Sequence, residues 1–197
     1  MKENSAPVNS SPCPPISDEG WPPEILDMEA GFVGAMNSYQ TMAHHPALLK
    51  AWAPLRQHIV KDSALGPVRS ELVILRTAHR LGSAYEWTHH VSRARALGFS
   101  DARILNMRGL PDGEDGLIAR AVDELFDANH LSPELEAVLS AAIGRQAVID
   151  LMATVGFYCI LGYLLMTYNT PIDDDVATEL IDRPLSPQGG AQGRASI

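Results

Sequence analysis

A helical repeat of apolar side chains runs through most of this chain, and it limits the fold more than any other feature of the sequence. Three successive segments place apolar residues three or four positions apart. These residues are Phe32, Met36, Tyr39 and Met42, then Leu48, Trp52, Leu55 and Ile59, then Val68, Leu72 and Leu75, whose stripe also includes His79. A period of 3.6 residues is that of amphipathic helices, and the alternation typical of strands is missing. The pattern predicts an all-α bundle of about seven or eight helices.

Glycine, serine and proline mark helix ends in the centre of the chain. Gly82 is predicted to end the third helix, and residues 83–97 to form the fourth. Ser100 is placed to cap a short fifth helix, and Ser132 followed by Pro133 to start a later one. Short connections of this kind favour helices that pack against their neighbours in the chain.

Both ends of the chain differ in composition from the region between them. Residues 1–23 contain six prolines, which predicts an extended or disordered N-terminal arm. Residues 184–197 are rich in glycine and serine and read as a flexible tail. The sequence therefore predicts one helical domain over residues 24–183.

Charge and cysteine content restrict the partners and the compartment. With 15 basic and 24 acidic residues the net charge is −9, which argues against nucleic acid or anionic lipid as a partner. Cys13 and Cys159 have no spaced partner, so a disulfide framework is not expected and a reducing compartment fits best. The first residues lack the apolar core of a secretory signal. We therefore expect a soluble, cytoplasmic protein.

The segment 151–168 carries no charged residue, and its length is at the lower limit for a membrane span. Asp150 precedes it, acidic residues 173–175 follow it, and no basic anchors flank it. We therefore expect a helix that is buried within a helical oligomer and does not enter a membrane.

The most informative segment runs from Glu71 to Gly98. On a helical wheel Ser83, Trp87 and His90 share the inward face, and Glu86 lies on its shoulder. Two interpretations remain open from this pattern. Ser83 and Glu86 could form a capping box while His90 is a core histidine that is bonded to a carboxylate such as Glu71. Alternatively, the same polar groups could form a functional site, since buried polar groups need partners.

The order of residues in this region resembles the carboxymuconolactone decarboxylase family, which includes the alkylhydroperoxidase AhpD. The resemblance rests on ELVILRTA, then GSAYEWTHH, then ARALGFSDARI, about 35 residues in all. The redox members carry Glu, eleven residues, Cys, two residues, Cys, three residues, His. Glu71 and His90 match the Glu and the His, whereas Ser83 and Glu86 occupy the two cysteine positions. The resemblance implies an AhpD-like, peroxiredoxin-related helical fold that assembles as trimers or hexamers.

The loss of both cysteines changes the chemistry that the resemblance implies. Peroxide reduction of the AhpD kind needs an attacking thiolate and a second, resolving thiol. Ser83 and Glu86 can supply neither, so AhpD-type peroxidase activity is disfavoured. The decarboxylase branch works without a metal or an organic cofactor, and that branch is the closer analogy.

The decarboxylase analogy assigns roles to the residues of this site. Glu86 with a raised pKa and a neutral His90 would act as an acid/base pair on a small carboxylic acid or lactone. Glu71 would orient His90, and Ser83 would hold a substrate oxyanion. Tyr85, Trp87 and His79 would shape the substrate pocket, although packing is the favoured role for Trp87 and His79. Arg76 is a weaker candidate that could pair with Glu71 or bind a substrate carboxylate.

Two rival functions also follow from the sequence. Glu86 and His89 have the Glu-x-x-His spacing of di-iron bundles, but no second such pair exists, so no metal is expected. A non-enzymatic, oligomeric binding protein with the same fold is the other rival.

Overall fold

The computed structural model describes residues 11–17 and 20–187, and the secondary structure of these residues is helical without strands. Ten α-helices follow one another: α1 (Leu26–Met28), α2 (Asn37–Met42), α3 (Pro46–Gln57), α4 (Gly66–Leu81), α5 (Ala84–Ala96), α6 (Asp101–Asn106), α7 (Gly113–Ala128), α8 (Pro133–Ile143), α9 (Arg145–Thr167) and α10 (Asp174–Asp182). A 3-10 turn (Pro23–Ile25) and two π-helical turns (Glu29–Val33, His58–Asp62) lie between them. The all-α prediction is confirmed. The count is higher than predicted because short helices such as α1 are separate elements.

The first apolar stripe was predicted to lie on one helix, and the structure divides it in two. Phe32 lies in the first π-helical turn, whereas Tyr39 and Met42 lie in α2. Between them Met36 is extended, with φ −143° and ψ 130°. Gly31 is also non-helical, with ψ −154°. Glycine has low helix propensity, which accounts for the interruption of the helix here. The apolar spacing continues across the interruption.

The predicted helix boundaries in the centre of the chain are confirmed. Gly82 ends α4 with φ +70°, a left-handed conformation that costs glycine little. Ser83, Ser100 and Ser132 begin α5, α6 and α8, and each side chain accepts a hydrogen bond from the backbone N–H three residues later. These caps fix where each helix begins, and Ser83 is thereby held at the N-terminus of α5.

Helix α4 lies at the centre of the fold and packs against α5, α7 and α9. Two apolar clusters lie on its two sides. One contains Leu72, Leu75 and Val91, and the other contains Ile74 and Tyr85. Because α4 and α5 contribute to both clusters, the polar residues on their facing sides are enclosed by apolar side chains.

Helix α9 contains the uncharged segment that the sequence identified. Its length and mean hydropathy of 1.9 are sufficient for a membrane span. However, 56% of that window is buried within the fold, as in the core helix of a soluble protein. Val155 packs in the first cluster, and Phe157 and Leu161 pack in the second. The helix therefore contributes to both apolar clusters, and its burial within an oligomer stays a prediction.

The ends of the chain pack against the domain wherever the structure describes them. Trp21 is buried, and Ile16 packs against the second cluster. Leu185 packs against the first cluster, and the Ser186 N–H donates to Asp101. The remaining parts of the predicted arm and tail, residues 1–10, 18–19 and 188–197, lie outside the described residues.

Candidate active site

Glu71, His90 and Glu86 form a line of ionisable side chains between α4 and α5. The Nδ1 atom of His90 lies 2.6 Å from Oε2 of Glu71, and its Nε2 atom lies 3.5 Å from Oε2 of Glu86. His90 is 2% exposed and Glu86 is 3% exposed. The residues come together because Glu86 and His90 are one turn apart on α5, while α4 packs alongside and contributes Glu71.

The two carboxylates control the charge of His90. Burial opposes the charged imidazolium, but the negative charge of Glu71 and the hydrogen bonds to Glu71 and Glu86 outweigh it. The net effect raises the pKa of His90 above its ordinary value. This differs from the neutral His90 expected from the sequence, because a histidine between two carboxylates is stabilised in its charged form.

Glu86 has one carboxylate oxygen without a partner. Its backbone N–H donates to the Ser83 hydroxyl at 3.4 Å, as in a capping box. The return bond of a capping box is not made, since the Ser83 N–H donates to the carbonyl of Ala78. Oε2 of Glu86 faces His90, and Oε1 is buried without a hydrogen-bond partner among the described residues. A capping role does not account for this buried, unpaired carboxylate oxygen.

Two tyrosines and an arginine lie around this line of charges. The ring of Tyr158 on α9 meets His90 edge-on at 5.1 Å between centroids. Burial, together with the charge of Glu86, raises the pKa of Tyr158 well above its ordinary value, so it remains a neutral phenol. Tyr39 and Arg93 lie close enough to interact electrostatically with Tyr158. The sequence analysis did not identify Tyr158, Tyr39 or Arg93 as residues of the site. Of the three, only Arg93 could have been found from the sequence, because it lies seven positions after Glu86 on the same helix.

Ser83 lies between two cavities at the N-terminus of α5. A cavity of about 280 Å³ is lined by Ser83, His79, Trp87 and Arg108. A second cavity of about 220 Å³ is lined by Ser83 and Tyr85. Glu71, Glu86 and His90 line neither of these cavities. The predicted pocket residues are therefore divided, with His79 and Trp87 on one side of Ser83 and Tyr85 on the other.

Aromatic and cationic groups form the wall of the larger cavity. The ring centroids of His79 and Trp87 are 6.4 Å apart, and the Arg108 guanidinium lies 4.3 Å from the Trp87 ring. Burial and the positive charges of Arg76 and Arg108 lower the pKa of His79, so this ring favours the neutral form. His79 is exposed, so it lines the cavity and does not fill core space.

Tyr85 is held by a separate hydrogen-bond network. Its hydroxyl donates to Oδ2 of Asp173 at 2.5 Å and accepts from the N–H of Ser38 at 3.1 Å. His89 bonds the same Asp173 oxygen at 2.6 Å through Nε2. Its Nδ1 faces the Tyr85 carbonyl at 2.9 Å. Tyr85 and His89 therefore fasten α5 to the segment before α10.

The contacts of Arg76 contradict a weaker expectation about this residue. Arg76 does not pair with Glu71, because its guanidinium makes two bonds to Asp123 and bonds the carbonyls of Met107 and Gly109. The Arg76 expectation was therefore wrong.

The Glu86 and His89 side chains of the Glu-x-x-His spacing point to different partners. Among the described residues, no group of three or more His, Cys, Asp or Glu side chains could hold a metal ion.

Comparisons with known proteins agree with this arrangement of helices. A cysteine-to-alanine variant of the debrominase Bmp8, in complex with 2,3,4-tribromopyrrole, aligns with a TM-score of 0.66 and 16% identity over 88% of this chain and 98% of that chain. Apo Bmp8 aligns with a TM-score of 0.67 and 15% identity over 86% of this chain and 96% of that chain. These identities establish a shared fold alone. No protein of curated function matches the sequence.

The sequence itself matches a protein-family model over residues 46–110. That range contains Glu71, Ser83, Glu86 and His90, the residues around which the candidate site is built. The model that residues 46–110 match is that of the carboxymuconolactone decarboxylase family.

Proposed function

We propose that the protein is a cofactor-free enzyme that moves a proton on a small carboxylic acid or lactone. The observation that carries the proposal is the buried line of Glu71, His90 and Glu86, with one oxygen of Glu86 unpaired. Side chains held in this way can transfer protons without large rearrangement. Decarboxylation or a related lyase or isomerase step is the reaction class that this arrangement serves best.

Glu86 is assigned the proton transfer, because its Oε1 has no hydrogen-bond partner within residues 11–17 and 20–187. In a decarboxylation the bond to the carboxylate carbon breaks, carbon dioxide leaves and the electron pair remains as an enolate. Glu86 lines neither cavity beside Ser83, so its protonated side chain would turn towards the substrate, donate its proton to that carbon and be reprotonated from solvent. His90 would stabilise the Glu86 carboxylate, and Glu71 would hold the His90 ring in place through Nδ1.

The substrate is assigned to the 280 Å³ cavity beside Ser83. Ser83 lines that cavity and also accepts the backbone N–H of Glu86, so it is the link between the cavity and the buried line. The N-terminus of α5 and the Arg108 guanidinium both favour a negatively charged substrate group. Trp87 and His79 offer flat surfaces to the rest of the molecule.

A panel of small enolisable acids and lactones tests this function. Decarboxylation or exchange of carbon-bound hydrogen for deuterium would be followed by NMR, with the fold of each variant checked by circular dichroism. Glu86→Gln and His90→Asn should abolish turnover, whereas the controls Glu134→Gln and His130→Asn, at exposed positions, should retain it. Full activity in both site variants would exclude the proposal. Saturable binding by the panel without any turnover would favour the alternative of a non-enzymatic binding protein.

Two other activities have less support than the proposed proton transfer. They are the activity named for the structural neighbour and the redox activity of the family. Debromination is not carried over from Bmp8, because 16% identity shows the fold alone. Peroxidase activity would need two cooperating thiols, and neither residue at the matching positions is a cysteine. Burial raises the pKa of the Cys159 thiol, which makes it a poorer nucleophile.

We also propose that the protein is a cytoplasmic homo-oligomer. One face of α9 exposes apolar side chains over about 26 Å at 1.5 Å per residue. They are Ile149, Met152, Ile160, Tyr163 and Met166, each at least 38% exposed. A contiguous apolar stripe of this kind is typical of an interface. The family resemblance implies trimers or hexamers, so a second copy of this chain is the proposed partner, with no membrane or nucleic acid involved.

A further inference from the structure

Arg93 is a mostly buried arginine whose donors are poorly satisfied. It lies on α5, one turn after His89 and His90, and its side chain is mostly covered. A guanidinium has five N–H donors. Among the described residues its one hydrogen bond is from Nη2 to the thioether sulfur of Met36 at 3.6 Å, and sulfur is a weak acceptor.

Two other arginines in this fold donate their guanidinium hydrogen bonds to carboxylates. Arg95, two residues later, makes two bonds of 2.8 and 2.9 Å to Asp101. Arg76 bonds both oxygens of Asp123. Arg93 makes no ion pair within 4.0 Å among residues 11–17 and 20–187. Glu71 and Glu86 offset its charge from a greater distance, but they accept none of its hydrogen bonds. The Arg93 nitrogens are not among the buried side-chain atoms that lack a partner, so they are accessible to an acceptor from outside the chain.

Arg93 lines a third cavity, of about 210 Å³, between α5, the residues just before α2 and the start of α10. At roughly 30 Å³ per water molecule, this volume holds about seven waters, or a molecule of similar size. Ala35, Met36 and Val176 give the cavity an apolar side. The cavity is separate from the two cavities that Ser83 lines.

The other polar groups of this cavity already have partners. Asp173 accepts hydrogen bonds from Tyr85, His89 and the Asn37 N–H. The Ser92 hydroxyl donates to Glu179. Arg93 is therefore the group in this wall with donors to spare. The nearby carboxylates of Asp173 and Asp175 disfavour an anion that carries more than one charge.

We propose that this cavity binds a small monocarboxylate. The carboxylate accepts two parallel hydrogen bonds from the Arg93 guanidinium, a geometry for which arginine is suited. The short apolar body packs against Ala35, Met36 and Val176. This binding site is independent of the proton transfer assigned to Glu86, and it holds whether or not the protein is an enzyme.

Calorimetric titration with butyrate tests the site in the full-length protein. Wild-type protein should bind butyrate saturably, and butanol and inorganic phosphate should bind far more weakly. Arg93→Gln should weaken butyrate binding at least about tenfold, because it removes charge-assisted hydrogen bonds. Arg93→Lys should have an intermediate effect. The matched control Arg145→Gln, at an exposed arginine that lines none of these cavities, should leave butyrate binding unchanged.

A second variant keeps the test decisive if Arg93→Gln is unstable. Ala35 is exposed at the wall of the cavity, and Ala35→Trp should block it while Arg93 remains in place. This variant should also lose butyrate binding. The proposal is overturned by absence of saturable binding to wild-type protein, by unchanged affinity in Arg93→Gln or Ala35→Trp, by loss of binding in Arg145→Gln, or by phosphate that binds as tightly as butyrate.

Discussion

The imidazole of His90 lies 2.6 Å from Glu71 through Nδ1, and this contact joins α5 to α4 inside the fold. Both residues are buried, so the interaction is little screened by solvent. The same ring faces Glu86 on its other side. The charge of His90 therefore depends on residues from two helices, and changes in either carboxylate should be visible in its titration.

Replacing Glu71 by Gln should lower the pKa of His90. Glu71 contributes both negative charge and a hydrogen bond that raise this pKa, and glutamine supplies no charge. NMR titration of the His90 ring would measure the change, and Glu134→Gln on α8 is the control. An unchanged His90 titration in the Glu71 variant would show that the contact does not govern its charge.

Stability should depend on pH through the same residue. Because the folded-state pKa of His90 is raised, its contribution is fully present below the unfolded value of 6.5 and is lost as pH rises through the folded value. Urea unfolding at about pH 6 and about pH 8.5 should show a smaller loss of stability with rising pH in Glu71→Gln than in wild type. An equal loss in both proteins would contradict this prediction.

Arg76 should contribute strongly to stability although it has no part in the candidate site. Its guanidinium is buried and bonds both Asp123 and two backbone carbonyls. Arg76→Ala should lower the free energy of unfolding by about 3 kcal/mol, since it leaves these acceptors unpaired. The control Arg69→Ala removes a more exposed pair with Glu114 and should cost less than about 1 kcal/mol. Urea unfolding followed by circular dichroism measures both, and similar losses would refute the distinction.

Peroxide turnover with a dithiol reductant should be negligible. The candidate site has a hydroxyl and a carboxylate where the redox relatives have thiols, and the Cys159 thiol has a raised pKa. A peroxide consumption assay checks this, with thiol alkylation as the control. A robust rate that alkylation abolishes would restore the peroxidase interpretation.

A charge on the exposed face of α9 should dissociate the proposed oligomer. Ile160 is 51% exposed in the centre of the apolar stripe, and Ile160→Glu would bury a carboxylate at an interface. Sedimentation equilibrium should show wild-type protein at a multiple of the chain mass and Ile160→Glu at the mass of one chain. Leu110→Glu, at an exposed position outside the stripe, should leave the mass unchanged. A monomeric wild-type protein would exclude the oligomer.

The sequence determined the local features of this protein. Apolar spacing predicted an all-α fold, and Gly82, Ser83, Ser100 and Ser132 predicted helix ends that the structure confirms. Apolar spacing and helix ends depend on residues within one or two helical turns of each other, so they can be predicted from the sequence alone. The spacing between Glu86 and His90 likewise placed them on one helix face.

Only the tertiary structure decided which partners these residues have. Arg76 pairs with Asp123 and not with Glu71, and Asp173 reaches His89 from 84 positions away in the sequence. The raised pKa of His90 and the unpaired oxygen of Glu86 arise from burial and from the packing of α4 against α5. Such properties depend on distances between residues that are remote in the chain, and the helical period carries no information about those distances.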